Sequence, residues 1–206
     1  MTAVADMKNV SAAAAAINLT QPAVTKALAG LEKKLNCKLF DRMTDGMQPT
    51  ESAGFLTARV RRALALLSSR KVSLNHMRAL IELTEAGSYK LAQAHTGLAA
   101  STLHRSVNHL EALLEISLVR KIGNRVVLTE PGRKLYKRFK LAKAELETGI
   151  WEAQGAQGVM SGRIKVGAMP LSRAKILPQA IAGFYNAYPD VHVSVMEGSR
   201  AELYEH

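Results

Sequence analysis

Gln21, Thr25 and Lys26 follow Thr20 at a spacing that sets them on one side of a helix, away from Val24 and Leu28. A glutamine amide carries a donor and an acceptor together, the pattern that pairs bidentately with an adenine edge. Thr25 can meet a phosphate or a thymine methyl, and Lys26 adds a cation. Pro22 falls in the first helical turn, where a missing N–H costs nothing. Thr20 is placed to cap, and the free N–H groups there favour a nearby phosphate. Arg42, beyond this helix, suits backbone contact. Shifted by 79 residues, the same positions hold Ala100, His104 and Arg105, with Ser101 beside them and Lys121 and Arg125 further on. Ala100 cannot hydrogen-bond a base, whereas Arg105, Lys121 and Arg125 suit phosphate, and His104 can face DNA. Side chains of these types suit binding a nucleic acid rather than breaking bonds; merely solvated polar positions on a helix are the competing reading.

Other chemistries do not assemble. The one cysteine, Cys37, allows no intramolecular disulfide and has no metal-ligand spacing around it, so it reads as a core residue. His76, His95, His104, His109, His192 and His206 form no HxxxH pair. Neither a nucleophile elbow nor a glycine-rich phosphate loop is present. The expectation is a protein that is not an enzyme and uses no metal or cofactor.

Charge agrees with a polyanionic partner. The net formal charge is +11, and it is uneven. Residues 1–70 carry ten Lys/Arg against five Asp/Glu, and residues 71–160 thirteen against eight. Residues 161–206 carry five against four, which marks the tail as a different kind of module. No apolar run is long enough to span a bilayer, and the alanine run Ala12 to Ala16 lacks the flanks of a secretory signal. A reducing cytoplasm is the expected compartment, with no membrane partner.

The elements that must position these residues occur twice. At an offset of 79, Leu19 falls on Leu98, Leu28 on Val107, Leu31-Glu32 on Leu110-Glu111, Leu35 on Leu114, Leu39 on Leu118, Arg42 on Lys121, and Thr50-Glu51 on Thr129-Glu130. Each copy reads as a short helix capped by Asn9 or Ser88, a tight turn, and a longer helix. The longer helix buries Val24, Leu28, Leu31 and Leu35, or Leu103, Val107, Leu110 and Leu114. A hairpin follows, turning at Asp45-Gly46 or Gly123-Asn124, and Thr50 or Thr129 then caps another helix. Before Asn9 the first copy has only eight residues, against a full helix about Leu74 to Glu85 in the second. Either the start is lost or the first helix is short.

Two helices, a short turn and a small β-wing make a winged helix-turn-helix. The stretch LTQPAVTKALAGLEKKLNCKLFDRMTDGMQPTESAG resembles the DNA-binding domain of LysR-type transcriptional regulators. The matching features are Gln21-Pro22-Ala23, Leu31-Glu32, Leu39-Phe40-Asp41-Arg42, and Thr50 with Gly54. The second copy is a diverged relative that keeps Leu110-Glu111 and Thr129 to Gly132 but lacks the Gln-Pro pair. It either binds DNA without the same base readout or mainly packs. The resemblance implies that the helix after the wing makes a dimer. The candidate seams are Leu56, Val60, Ala63 and Leu67 in the first copy and Leu135, Phe139, Ala142, Leu146 and Ile150 in the second, with Leu135, Phe139, Leu146 and Ile150 as the expected interface of a homodimer or tetramer. Packing within its own domain is the competing reading of each seam. Gly155, Gly158 and Gly162 read as a hinge.

The tail resembles the start of that family's effector domain, a periplasmic-binding-protein-like fold. Ile164 to Ala168 and Val191 to Met196 read as strands and Leu171 to Ala187 as a helix, although Pro178 sits inside it. A small-molecule effector would lie at the strands' C-terminal ends, with Ser172 and Ser199 as candidate hydroxyls. The sequence breaks off before the second half of such a fold and reads as part of a longer protein. The expected class is mainly α: two winged helix-turn-helix units, residues 1–70 and 71–158, then a partial α/β subdomain, residues 159–206. The function that follows is sequence-specific regulation of transcription on double-stranded DNA. An assembly module of tandem winged helices is the rival reading. An RNA binder would need stacking aromatics that this chain lacks.

Overall fold

Backbone groups at helix ends need partners, and the sequence supplies them at repeated positions. In the computed structural model, which describes residues 1–44, 46–67, 69, 71–156, 162–169, 175–199 and 203, the first series is α1 (Thr2–Met7), α2 (Val10–Ala16), α3 (Gln21–Leu35), β1 (Phe40–Met43), β2 (Gly46–Pro49) and α4 (Glu51–Leu66). The second is α5 (Leu74–Ala86), α6 (Tyr89–Thr96), α7 (Ala100–Leu114), β3 (Val119–Ile122), β4 (Arg125–Leu128) and α8 (Glu130–Gly155). α1 is a short first helix of six residues, against thirteen in α5.

The offset of 79 extends to individual bonds. Asn9 caps α2 by accepting from the Ala12 N–H, and Ser88 caps α6 by accepting from that of Leu91. Lys8 and Gly87 end the first helices in the left-handed region, and Asn36 and Glu115 end α3 and α7 in the same way. The Met47 N–H donates to the Lys8 carbonyl, and the Val126 N–H to that of Gly87, each at 2.8 Å. Gly46 is required here: its φ is +151°, and a Cβ would collide with the Lys8 carbonyl.

The wings are antiparallel pairs in matching register, Phe40 opposite Pro49 and Val119 opposite Leu128. Thr50 and Thr129 cap α4 and α8 and also donate back to the wing strap, to Lys38 and Ser117 carbonyls at 2.9 and 2.7 Å. At Gly132 a side chain would strike the Leu118 carbonyl, so this helix start lies directly on the strand.

The chain divides into two compact units, Met1–Leu56 with Ile150–His206, and Thr57–Gly149. In the first, Val4, Ala13, Ala14, Val24, Leu28, Leu35, Leu39 and Phe40 are buried, together with Ala53, Leu56 and Ala153. Cys37 is buried among them, its Sγ 3.4 Å from the Ala153 carbonyl, and Gln154 Nε2 donates to the Leu35 carbonyl at 2.8 Å. In the second unit, one cluster joins Ala63, Val72, Met77, Leu80, Ile81, Leu110 and Leu118 to Leu135, Phe139 and Ala142. Another joins Ala79, Leu83, Ala92, Leu103 and Val107. Fully buried Leu, Ile and Phe side chains each contribute about 1.5–3 kcal/mol to such a core.

β5 (Gly162–Ala168) and β6 (Val191–Glu197) pair in parallel, and α9 (Ile176–Ala187) lies between them in the chain. Of the three glycines read as a hinge, Gly155 ends α8, Gly162 opens β5, and Gly158 lies outside the described residues. The helix expected from Leu171 starts at Ile176, and residues 171–174 are outside the described set. Pro178 therefore sits in the first turn, where no intrahelical N–H is needed. Ile164, Ile176, Tyr185, Tyr188 and Val195 remain exposed.

Candidate nucleic-acid interface

Val24, Leu28 and Leu35 turn one face of α3 into the core, which leaves its opening outside. Thr20, Gln21, Pro22 and Lys26 are exposed. Thr20 Oγ1 accepts from the Ala23 N–H at 3.4 Å, which sets the cap. Thr25 is half-buried and its hydroxyl donates to the Gln21 carbonyl at 3.0 Å. That proton is committed to the helix, so Thr25 can offer a partner only lone pairs and its methyl. Arg42 is exposed on β1 opposite Met47.

Wing position is fixed by a carboxylate in each longer helix. Glu32 Oε1 accepts from the Leu39 and Phe40 N–H groups at 2.8 and 3.1 Å. Glu111 Oε1 accepts from those of Leu118 and Val119 at 2.7 and 3.1 Å. The residue type was visible in the repeat; its clamping role was not, because the bond closes only when helix and strand meet.

On α7, Ser101, His104 and Arg105 are exposed and line one surface groove of about 920 Å³ with Ser73, His76 and His109. His104 Nδ1 lies 3.2 Å from Asn108 Nδ2, and its ring rests 5.0 Å from that of Tyr89. Burial, and then the charge of Glu111, push the Tyr89 hydroxyl up to about 12, so it stays a neutral support. Lys121 and Arg125 are exposed on the second wing. α7 has no side-chain cap from Ala99; the Ala100 N–H donates instead to Gln93 Oε1 at 3.1 Å. Gln93 thus caps the start of α7 from the preceding helix, a role that sequence reading missed.

Sequence reading also missed the pairing of His76 with His109. His76 Nδ1 accepts the Ser73 N–H at 3.2 Å, which places its proton on Nε2, 3.1 Å from His109 Nδ1. Burial, then the neighbouring His109, hold the His76 pKa below its ordinary 6.5. The folded state therefore refuses a proton that the unfolded chain accepts. This contribution is complete above about pH 6.5 and is lost as pH falls toward the lowered folded pKa. Melting of the wild type at pH 7.5 and 5.5 should show a drop that is smaller in His76→Gln; an equal drop in both would place the titration elsewhere.

Leu135 and Phe139, expected on a seam between two chains, are buried inside their own unit. The reason is that α5, α7 and residues 57–66 of α4 share one core with them. Leu146 and Ile150 are half-buried. Ser199 follows β6 and is exposed, with its carbonyl accepting from the Leu203 N–H. The preceding Gly198 N–H donates to Ala168, so the two strands' C-terminal ends lie together there. Ser172 lies outside the described residues. Among the described residues no metal-binding cluster occurs, and no helix is long and apolar enough to cross a membrane.

The profile of the bacterial regulatory helix-turn-helix proteins of the lysR family matches residues 1–54 and again 74–133. The chain belongs to the LysR family. The LysR substrate binding domain profile matches residues 157–206 of this LysR-family chain. The HTH-type transcriptional regulator GalR of Pseudomonas putida is 28% identical over 94% of this chain and 52% of its own length. Among solved structures, hydrogen peroxide-bound OxyR of Corynebacterium glutamicum covers 65% of this chain and 41% of its own, with 24% identity and a TM-score of 0.45. CbnR complexed with its target DNA covers 65% and 46%, with 20% identity and a TM-score of 0.36. The chain spans about half the length of the curated relatives it matches.

Proposed function

We propose that this LysR-family protein regulates transcription by binding double-stranded DNA through two winged helix-turn-helix repeats, residues 1–70 and 71–158. The observation that carries this reading is Gln21, exposed at the capped start of α3, the buried-faced helix of the family's DNA-binding match. Thr20, Pro22, Thr25 and Lys26 set its surroundings, and Arg42 holds backbone. The second repeat has Ser101, His104, Arg105, Lys121 and Arg125 at corresponding places but no base-reading amide, so it adds backbone affinity. In the whole protein, a small-molecule effector binds at the C-terminal edge of the parallel strands in residues 159–206, near Ser172 and Ser199. The protein acts in the cytoplasm as a dimer or tetramer, without a cofactor of its own.

The test is binding of the full gene product to duplex DNA. If about six phosphates are neutralised, log affinity should fall with log salt at a slope near −5. Site selection with Gln21→Ala should relax preference at one position per half-site, by ~1–3 kcal/mol. Arg105→Ala should weaken all sequences alike and reduce the salt slope by about one. Affinity indifferent to salt would favour the assembly-module reading. Base preferences changed by Arg105→Ala and not by Gln21→Ala would reverse the division of labour.

A further inference from the structure

We infer that α4 and α8 pair with one another inside a single chain, so that one copy completes both repeats without a second. Residues 57–66 of α4 and 130–149 of α8 fall in one compact unit. Ala63, 3% exposed, and Ala142, 1% exposed, lie in the same buried cluster, with Leu66, Leu67 and Leu146 packed against it. Ala63 and Ala142 are equivalent residues at the offset of 79. When two identical copies pair about a twofold axis, residues at the axis meet their own counterparts. This chain brings such counterparts into one cluster by itself.

Ion pairs join the same two helices, between residues that are not equivalents at that offset. Glu145 Oε2 lies 3.1 Å from Arg59 Nη1 and 3.8 Å from Arg62 Nη1, and the Arg59 and Glu145 side chains are 23% and 25% exposed. The exchange is reciprocal. α4 leaves the unit of the first repeat for that of the second, while the end of α8 returns to the first, where Ala153 is fully buried and Gln154 binds the Leu35 carbonyl. Each unit is thus completed by the helix that follows the other unit's wing. Pairing within one chain does not weaken on dilution. The consequence, one chain presenting two recognition helices, rests on the DNA-binding reading; the pairing does not.

The experiment uses the full gene product carrying Arg59→Cys and Glu145→Cys. Protein grown with ¹⁴N and with ¹⁵N is mixed, unfolded, refolded together and treated with a short bismaleimide. The cross-linked peptides are then weighed. The expected result is a pair joined across positions 59 and 145 that carries one isotope throughout. Half of the pairs with mixed isotopes would show that the helices pair between chains, and no cross-link would show that they do not pair; either overturns the inference. As a second measurement, Arg59→Glu and Glu145→Arg should each lower the melting temperature. The double variant should recover it, while a refolded mixture of the two single variants should not. Recovery in the mixture would again place the pair between chains. Neither measurement involves DNA, so a failure here is distinct from a failure to bind it.

Discussion

Phe139→Asp is expected to abolish cooperative folding of the unit Thr57–Gly149. Phe139 is fully buried, in one cluster with Leu80, Ile81, Leu110 and Leu118. Removing a buried phenylalanine ring alone costs about 3–5 kcal/mol. An unpaired carboxylate at the same place adds several kcal/mol or must take up a proton. A domain's whole stability is about 5–15 kcal/mol. Far-UV circular dichroism during heating should therefore lose its sigmoidal transition, and the soluble yield should fall. A variant that melts cooperatively near the wild-type temperature while light scattering shows it halved in mass would restore Phe139 to an interface between chains. Leu146→Asp supplies the contrast: at a half-buried position it should destabilise the unit less than Phe139→Asp.

Glu111→Ala should detach the second wing. Glu111 Oε1 holds two adjacent backbone N–H groups at the strand entry. Each N–H left without a partner in a partly buried site costs about 1–3 kcal/mol. Water can reach some of this surface, so the pair should cost roughly 2–4 kcal/mol. Hydrogen exchange should accelerate at Leu118 and Val119 and through β3 and β4, with a lower melting temperature for the unit. Glu111→Gln keeps an oxygen that can accept, though a weaker one, and should lose less. Equal losses in the two variants would mean that the charge, rather than the acceptor, holds the wing. Unchanged exchange in Glu111→Ala would show that the β3–β4 pairing suffices alone.

Much of this protein is written in local periods and caps. The faces of α3 and α7, the capping by Asn9, Ser88, Thr50 and Thr129, and the turn at Gly46 depend on residues a few positions apart, so a single pass along the chain finds them. The offset of 79 is likewise a property of the string, and it carries Glu32 onto Glu111 before any role for either is known. What the string could not decide is what each apolar stripe meets. Leu135, Phe139 and Ala142 have the same spacing whether their partner is another chain or α4, α5 and α7 of their own. The string is equally silent about His76 finding His109, Gln93 capping α7, and Gln154 reaching Leu35, since those pairs are brought together by packing. A helix period specifies a buried face through covalent geometry alone. The partner of that face is chosen by shape and burial across distant segments, and only the tertiary structure holds that choice.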